Sequence, residues 1–147
     1  MPLGIGIIIF LLDQLVKHIV TENMHLGESI PMIKGIFHIT FVLNPGAAFG
    51  MFEHKRWVFI MAAVVVVLVT GFFYSRLKNE STRMQTGTGL LLGGAVGNLA
   101  DRIQTGLVVD FLDFRVWPVF NIADIAICLG AGILILDMWQ RRNEDEE

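Results

Sequence analysis

The chain has 147 residues, of which 54% are hydrophobic and only 17% charged, with a mean hydropathy of +0.62. A soluble domain carries about 25% charged residues, so these values describe one membrane-embedded unit with no length left for a second domain. The formal net charge of −3 comes mostly from the terminal NEDEE, a solvated acidic end that argues against a nucleic-acid partner.

A membrane-crossing helix needs about 20 mainly apolar residues, and four stretches meet this requirement: 2–20, 57–74, 86–103 and 123–139. The first, PLGIGIIIFLLDQLVKHIV, lacks the basic start and small-residue cleavage site of a secretory leader, and it carries Asp13 and Lys17. It therefore reads as a retained helix. The two charges are four residues apart, the spacing of a self-neutralising pair; the alternative is that they hold the outer segment or a substrate backbone. The segment that follows, about 30–52, contains GIFHITFVLNPGAAFGMF. It alternates, is rich in β-formers and turns at Asn44-Pro45-Gly46, which predicts a small sheet lying on the outer leaflet.

The second span, WVFIMAAVVVVLVTGFFY, is bounded by Trp57 and Tyr74, and Trp139 closes the fourth; such rings favour the headgroup level. In the third, TGTGLLLGGAVGNLADRI, Gly89, Gly93, Gly97 and Asp101 recur every four residues and share one helix face. Small residues there admit a neighbouring backbone. A packing seam accounts for the glycines but has no need of Asn98 or Asp101. GGAVGNLADR lacks the strand and spacing of a dinucleotide fingerprint.

The stretch VVDFLDFRVWPVFNIADIAICLG (108–130) sets Asp110, Asp113 and Asp124 among apolar residues. In an extended chain Asp110 and Asp113 face opposite sides, so at most one points into the helices. Asp124 starts the fourth span, where a carboxylate suits the helix N-terminus, and Asn121 fits its N-cap. Cys128, the only cysteine, excludes an intrachain disulfide and reads as a small buried hydrophobe.

Arg76, Lys78 and Arg83 between spans two and three, with Arg141 and Arg142 after span four, orient the chain. Basic loops stay cytoplasmic, so both termini are expected inside and loops 21–56 and 104–122 outside, with Lys55 and Arg56 as the opposing signal. Asp13, Lys17, Asn44, Asp101, Arg102 and Asp124 then gather near the outer headgroups. Intramembrane polar residues are functional candidates. Two carboxylates brought close share a proton, so that one can serve as base on water and the other as acid. Ser29, Ser75 and Ser81 have no histidine at suggestive spacing, and His18, His25, His38 and His54 are scattered as surface or interface residues. No metal spacing is visible, so neither metal nor other cofactor is expected.

DQLVK (13–17), NPGAAFG (44–50), GGAVGNLADR (93–102), VVDF (108–111) and FNIAD (120–124) occur in that order. Together, across nearly the whole chain, they closely resemble the lipoprotein signal peptidases (signal peptidase II) of bacteria. The resemblance implies an all-α membrane protein of four transmembrane helices with a small β-rich extracytoplasmic segment, forming a single peptidase domain over residues 1–147. It implies an aspartyl endopeptidase of the cell inner membrane that removes signal peptides from diacylglyceryl-modified prolipoproteins, cutting before the lipidated cysteine. By the same resemblance Asp110 and Asp124 are catalytic, while Asn44, Gly46, Asn98, Asp101, Arg102 and Asn121 line the pocket and Asp13 and Lys17 match the first motif. Its partners are then prolipoproteins and membrane lipids, with the chain a monomer. The segment between Asp110 and Asp124 is short for the family, and Ile125 stands where a small hydroxyl residue often follows the last aspartate. Asp101 rivals Asp110 as partner of Asp124; Asp110 is favoured because Arg102 adjoins Asp101 and helps keep it ionised. The reading from another class is a small transporter or channel subunit with a carboxylate relay, which requires acids spread across the bilayer depth.

Overall fold

The computed structural model describes residues 1–46 and 56–145. Their order is α1 (Pro2–Asn23), β1 (Ser29–Ile33), β2 (Phe37–Asn44), α2 (Arg56–Phe72), α3 (Tyr74–Leu77), α4 (Thr82–Gln104), β3 (Val108–Asp113) and α5 (Ile122–Asp145). The far part of the expected β segment, Ala47 to Phe52, lies outside the described residues, as do His54, Lys55 and the last two residues of the acidic tail.

The helices are apolar outside and polar inside. On α1, Ile7, Ile8, Leu11, Leu15 and Ile19 are exposed, whereas Asp13 and Lys17 are buried. On α5, Leu129, Ile135, Leu136 and Met138 are exposed and Asp137 is buried. A chain folded in water does the reverse, and a continuous apolar exterior on helices that satisfy their own backbone groups suits a lipid surround. Pro2–Asn23 and Ile122–Asn143 are each 22 residues long and apolar enough to cross a membrane. The apolar helix Arg56–Phe72 has 17 residues. It ends two residues before the expected span boundary at 74, and α3 begins there as a separate turn. The third helix starts earlier than the expected 86, because Ser81 caps it by accepting from the Met84 amide at 3.1 Å.

α4 is the central helix, with α1 and α5 packed on it. A Cβ added to Gly93 would lie 2.6 Å from the Gly6 carbonyl oxygen of α1, and one added to Gly94 would strike the Ala123 carbonyl of α5. Two glycine rows thus let two backbones approach one helix. Gly93→Val is expected to destabilise the fold by about 1–3 kcal/mol through overpacking, read as a lowered melting temperature in detergent. Small residues also face α4 from α5, where Ala123, Ala126 and Gly130 are buried. Cys128 is therefore turned outward and is exposed, contrary to its expected burial.

β1 and β2 form a hairpin closed at Gly35, whose φ of +77° suits glycine. β3, contributed by the loop before α5, pairs antiparallel to β2 and gives the order β1-β2-β3. The pairing slips between Ile39 and Val42, so Thr40 and Phe41 together oppose Phe111. That bulge turns Phe41 and Phe111 onto Val20 and Met24 at the end of α1. The sheet is thereby seated on the helices, with Asp110 on the strand that faces the start of α5.

Candidate active site

The start of α5 organises the site. Asn121 Oδ1 accepts from the Asp124 amide at 2.9 Å, and Asp124 Oδ2 accepts from the Asn121 amide at 3.2 Å. This is a reciprocal capping box, and it fixes the Asp124 side chain beside its own cap. The Asn121 side chain is fully buried. Its Nδ2 lies 2.7 Å from Asp110 Oδ1, 3.0 Å from Asn98 Oδ1 and 3.2 Å from the Val109 carbonyl. Asn44 Nδ2 donates to the other oxygen of Asp110 at 2.8 Å, and Asn98 Nδ2 donates to Asp124 Oδ1 at 2.8 Å. Two carboxyls from distant segments are thus joined through two asparagines. Burial pushes Asp110 up to about 7; hydrogen bonds from Asn44 and Asn121 oppose that rise, and the neighbouring Asp124 charge adds to it.

Behind this pair lies a charged cluster. Lys17 Nζ is 2.8 Å from Asp13 Oδ2, 2.8 Å from Asp101 Oδ2 and 3.0 Å from Asn98 Oδ1. An ammonium has three donors and no acceptor, so all three are used. The simple i,i+4 pair expected from the sequence is here one edge of a larger network. Asp13 Oδ1 accepts from the Ala123 amide at 2.9 Å, tying α1 to the first turn of α5. Asp101 accepts from Gln14 Nε2 at 2.9 Å and from the Val109 amide at 3.1 Å. A Cβ on Gly97 would fall 2.6 Å from Asp13 Oδ2, so this glycine is what admits the Asp13 carboxylate against α4.

Asp110 and Asp113 have different partners although both are buried. Asp113 accepts from Thr40 Oγ1 at 2.7 Å and pairs with Arg115 at 3.0 Å. Burial alone would raise its pKa, but the bonds from Thr40 and Arg115 outweigh burial and hold it below the usual value.

A cavity of about 290 Å³ opens beside the carboxyls. Asn44, Gly46, Asn98, Arg102, Asp110 and Asp124 form its polar end, and α2, α4 and α5 supply apolar walls that include Phe59, Ala63, Val66, Leu91 and Ile127. Arg102 donates to the Gly46 carbonyl at 3.0 Å and lies 4.5 Å from the Phe59 ring centroid. Six of the ten residues singled out in the sequence therefore share one cavity wall. The other four, Asp13, Lys17, Asp101 and Asn121, stand behind it: Lys17 and Asn121 donate to Asn98, and Asn121 also bonds Asp110 and Asp124. Sequence reasoning missed Gln14, which bridges Asp101 and the Gly97 carbonyl; its place inside DQLVK was the available signal. Ile125 is 40% exposed on the outer side of α5, away from the bonds that Asp124 makes.

Helices with lipid-facing apolar exteriors, and a buried Asp110 joined to a half-buried Asp124 at the mouth of an apolar-walled cavity, define a membrane protein with an enzyme-like site. Residues 5–140 match the family described as Signal peptidase (SPase) II. The chain is 50% identical over 135 residues to a lipoprotein signal peptidase of Halothermothrix orenii, covering 92% of each chain. It is 44% identical over 140 residues to one of Pelotomaculum thermopropionicum, covering 95% of this chain and 90% of that one. It also superposes on a bacterial membrane enzyme solved by the in meso method at 2.3 Å resolution, with a TM-score of 0.89 and 30% identity over 97% of this chain and 90% of that one. A second such structure, at 1.9 Å, gives a TM-score of 0.82 with 31% identity over 93% and 91% of the two chains. The chain belongs to the signal peptidase II family, and it is a protease.

Proposed function

We propose that this chain is an aspartyl endopeptidase that removes signal peptides from diacylglyceryl-modified prolipoproteins, with Asp110 and Asp124 as its acid–base pair. Removal of prolipoprotein signal peptides is the activity of its family. The observation that carries the aspartyl reading is the Asn121–Asn98 bridge, which links two carboxyls at the mouth of one cavity. Asp101 is the weaker partner, since both its oxygens are engaged by Lys17, Gln14 and the Val109 amide. The relay alternative is not favoured, because its acids would be spread in depth; between Asp124 and Asp137 on α5 there is none.

In the proposed reaction Asp124 takes a proton from water as the water oxygen attacks the scissile carbonyl carbon. Asp110 gives its proton to the carbonyl oxygen, and a tetrahedral diol results. As the diol collapses, Asp110 recovers a proton from a diol hydroxyl and Asp124 passes its own to the departing nitrogen, so the pair ends as it began. Arg102 lies near both carboxyls and limits the repulsion between them. The test is to incubate the purified protein with a diacylglyceryl prolipoprotein and follow the mass. Loss of the signal peptide alone supports the reading, and an unchanged mass with active controls overturns it.

The proton on Asp110 sets the expected pH dependence. Its value near 7 means that kcat/KM falls as pH rises through about 7 and the acid form is lost. The stability sign is the same. A carboxyl raised from 3.8 to about 7 on folding costs nothing below 3.8, and the cost of ionising it grows as pH rises across that window. A rate that stays level up to pH 9 would contradict this assignment.

The proposed topology has four spans, both termini in the cytoplasm, and the site at the outer face of the cell membrane. α2 and α4 are the middle spans, and the support is the basic loop holding Arg76, Lys78 and Arg83. A cysteine placed at Glu28, in a Cys128→Ser background, is expected to react with an impermeant thiol reagent in intact cells. Labelling only after permeabilisation would reverse the orientation. The chain is proposed to act as a monomer on substrate held in the bilayer.

A further inference from the structure

We infer that Lys17 is a positioning residue for the reaction: by donating to Asn98 Oδ1 it locks the Asn98 amide so that its NH2 group, and not its carbonyl, faces Asp124. The inference rests on the acid–base reading of Asp110 and Asp124.

The chemistry of the donors forces the orientation. Asn98 Oδ1 meets Lys17 Nζ at 3.0 Å and Asn121 Nδ2 at 3.0 Å, while Asn98 Nδ2 meets Asp124 Oδ1 at 2.8 Å. A lysine ammonium only donates and a carboxylate only accepts. An amide between them satisfies both in one orientation and neither in the other. The site is buried, with Lys17 3% and Asn98 6% exposed, so the wrong orientation has little water to repair it.

Removal of the ammonium takes away the cationic one of the two donors to Asn98 Oδ1 and leaves only Asn121 Nδ2 to hold the orientation. Asp13 Oδ2 and Asp101 Oδ2 would then lack the donor they share, and they lie on the same side of Asn98 as Lys17. Their pull favours turning the NH2 group toward them, which presents a carbonyl oxygen to Asp124. A carbonyl there opposes the carboxylate form that must take the proton from water. Lys17 thus acts on the base from across α4 without touching the cavity. The charged groups around Asp124 among the described residues are Asp110 on β3, Asp101 and Arg102 on α4, and Asp13 and Lys17 on α1.

The test is the acid limb of the kcat/KM–pH profile, where activity appears as the base ionises. Lys17→Met and Asn98→Ala are each expected to move that limb to higher pH by about one unit, since each takes a hydrogen bond from the charged form. The double variant is expected to move it no further, because both act through one amide. A role of Lys17 in folding alone would lower yield or melting temperature and leave the limb of the folded fraction in place. Lys17→Met leaves two buried carboxylates without their cation, so Asp13→Asn/Lys17→Met is the companion should the single variant not fold. A limb at the parent position in a folded Lys17 variant, or in Asn98→Ala, overturns the inference, as does a shift in the double variant equal to the sum of the two. Retained turnover in both Asp110→Asn and Asp124→Asn would instead overturn the acid–base reading beneath it, so the two failures are distinguishable.

Discussion

Asp110→Asn and Asp124→Asn are each expected to lower kcat by about 10²–10⁴-fold or more while the protein still folds and inserts, because general acid–base groups contribute on that scale. Asparagine keeps the shape of the side chain and removes the proton chemistry. At position 110 it offers one acceptor where the carboxyl offered two, to Asn44 and to Asn121, and leaving one donor unmatched costs about 1–3 kcal/mol. Asp101→Asn makes the contrast. It removes half of the counter-charge that Lys17 shares with Asp13, so its main effect is expected on stability. The measurement is single-turnover cleavage beside thermal unfolding for all three variants. Near-normal turnover in Asp110→Asn together with loss in Asp101→Asn would make Asp101 the partner of Asp124.

The helices were legible in the sequence because lipid demands long apolar runs, and those survive in composition alone. The polar residues were legible one by one for the same reason: Asp13, Asn98 or Asp124 in an apolar run is conspicuous. Their division of labour was not legible. Asp13 and Lys17 look like a private pair at four-residue spacing, and the bonds from Asp13 to the Ala123 amide and from Lys17 to Asp101 and Asn98 span 110, 84 and 81 positions of sequence. Spacing carries information only within one element. β3 was hidden in the same way, since VVDFLD reads as extended but nothing local says that it pairs with β2. Cys128 misled because apolar helix positions look alike in sequence, and the small residues Ala123, Ala126 and Gly130 decide which face turns toward α4.

A lipidated precursor is expected to be cleaved far faster than the same peptide without its lipid, even when both are saturating. The cavity runs from Asp110 and Asp124 at its polar end to walls of Phe59, Ala63, Val66, Leu91 and Ile127, and the outer faces of α1 and α5 are apolar. On the proposed topology that polar end stands at the outer headgroups. A peptide arriving from water must order itself there, whereas each buried acyl methylene contributes about 0.8 kcal/mol to membrane partitioning. Diacylglycerol therefore confines the substrate to the leaflet and holds its modified cysteine at the depth of the two carboxyls. Confinement raises local concentration and so acts on binding. Holding the scissile bond at one depth and orientation also lowers the barrier after binding, so it acts on kcat. The comparison is single-turnover cleavage of lipidated and unlipidated precursor in the same nanodiscs, with enzyme in excess. A large difference in the maximal rate is the expected result. Equal maximal rates with different half-saturating concentrations would confine the lipid to a binding role, and equality in both would mean that the enzyme reads the peptide alone.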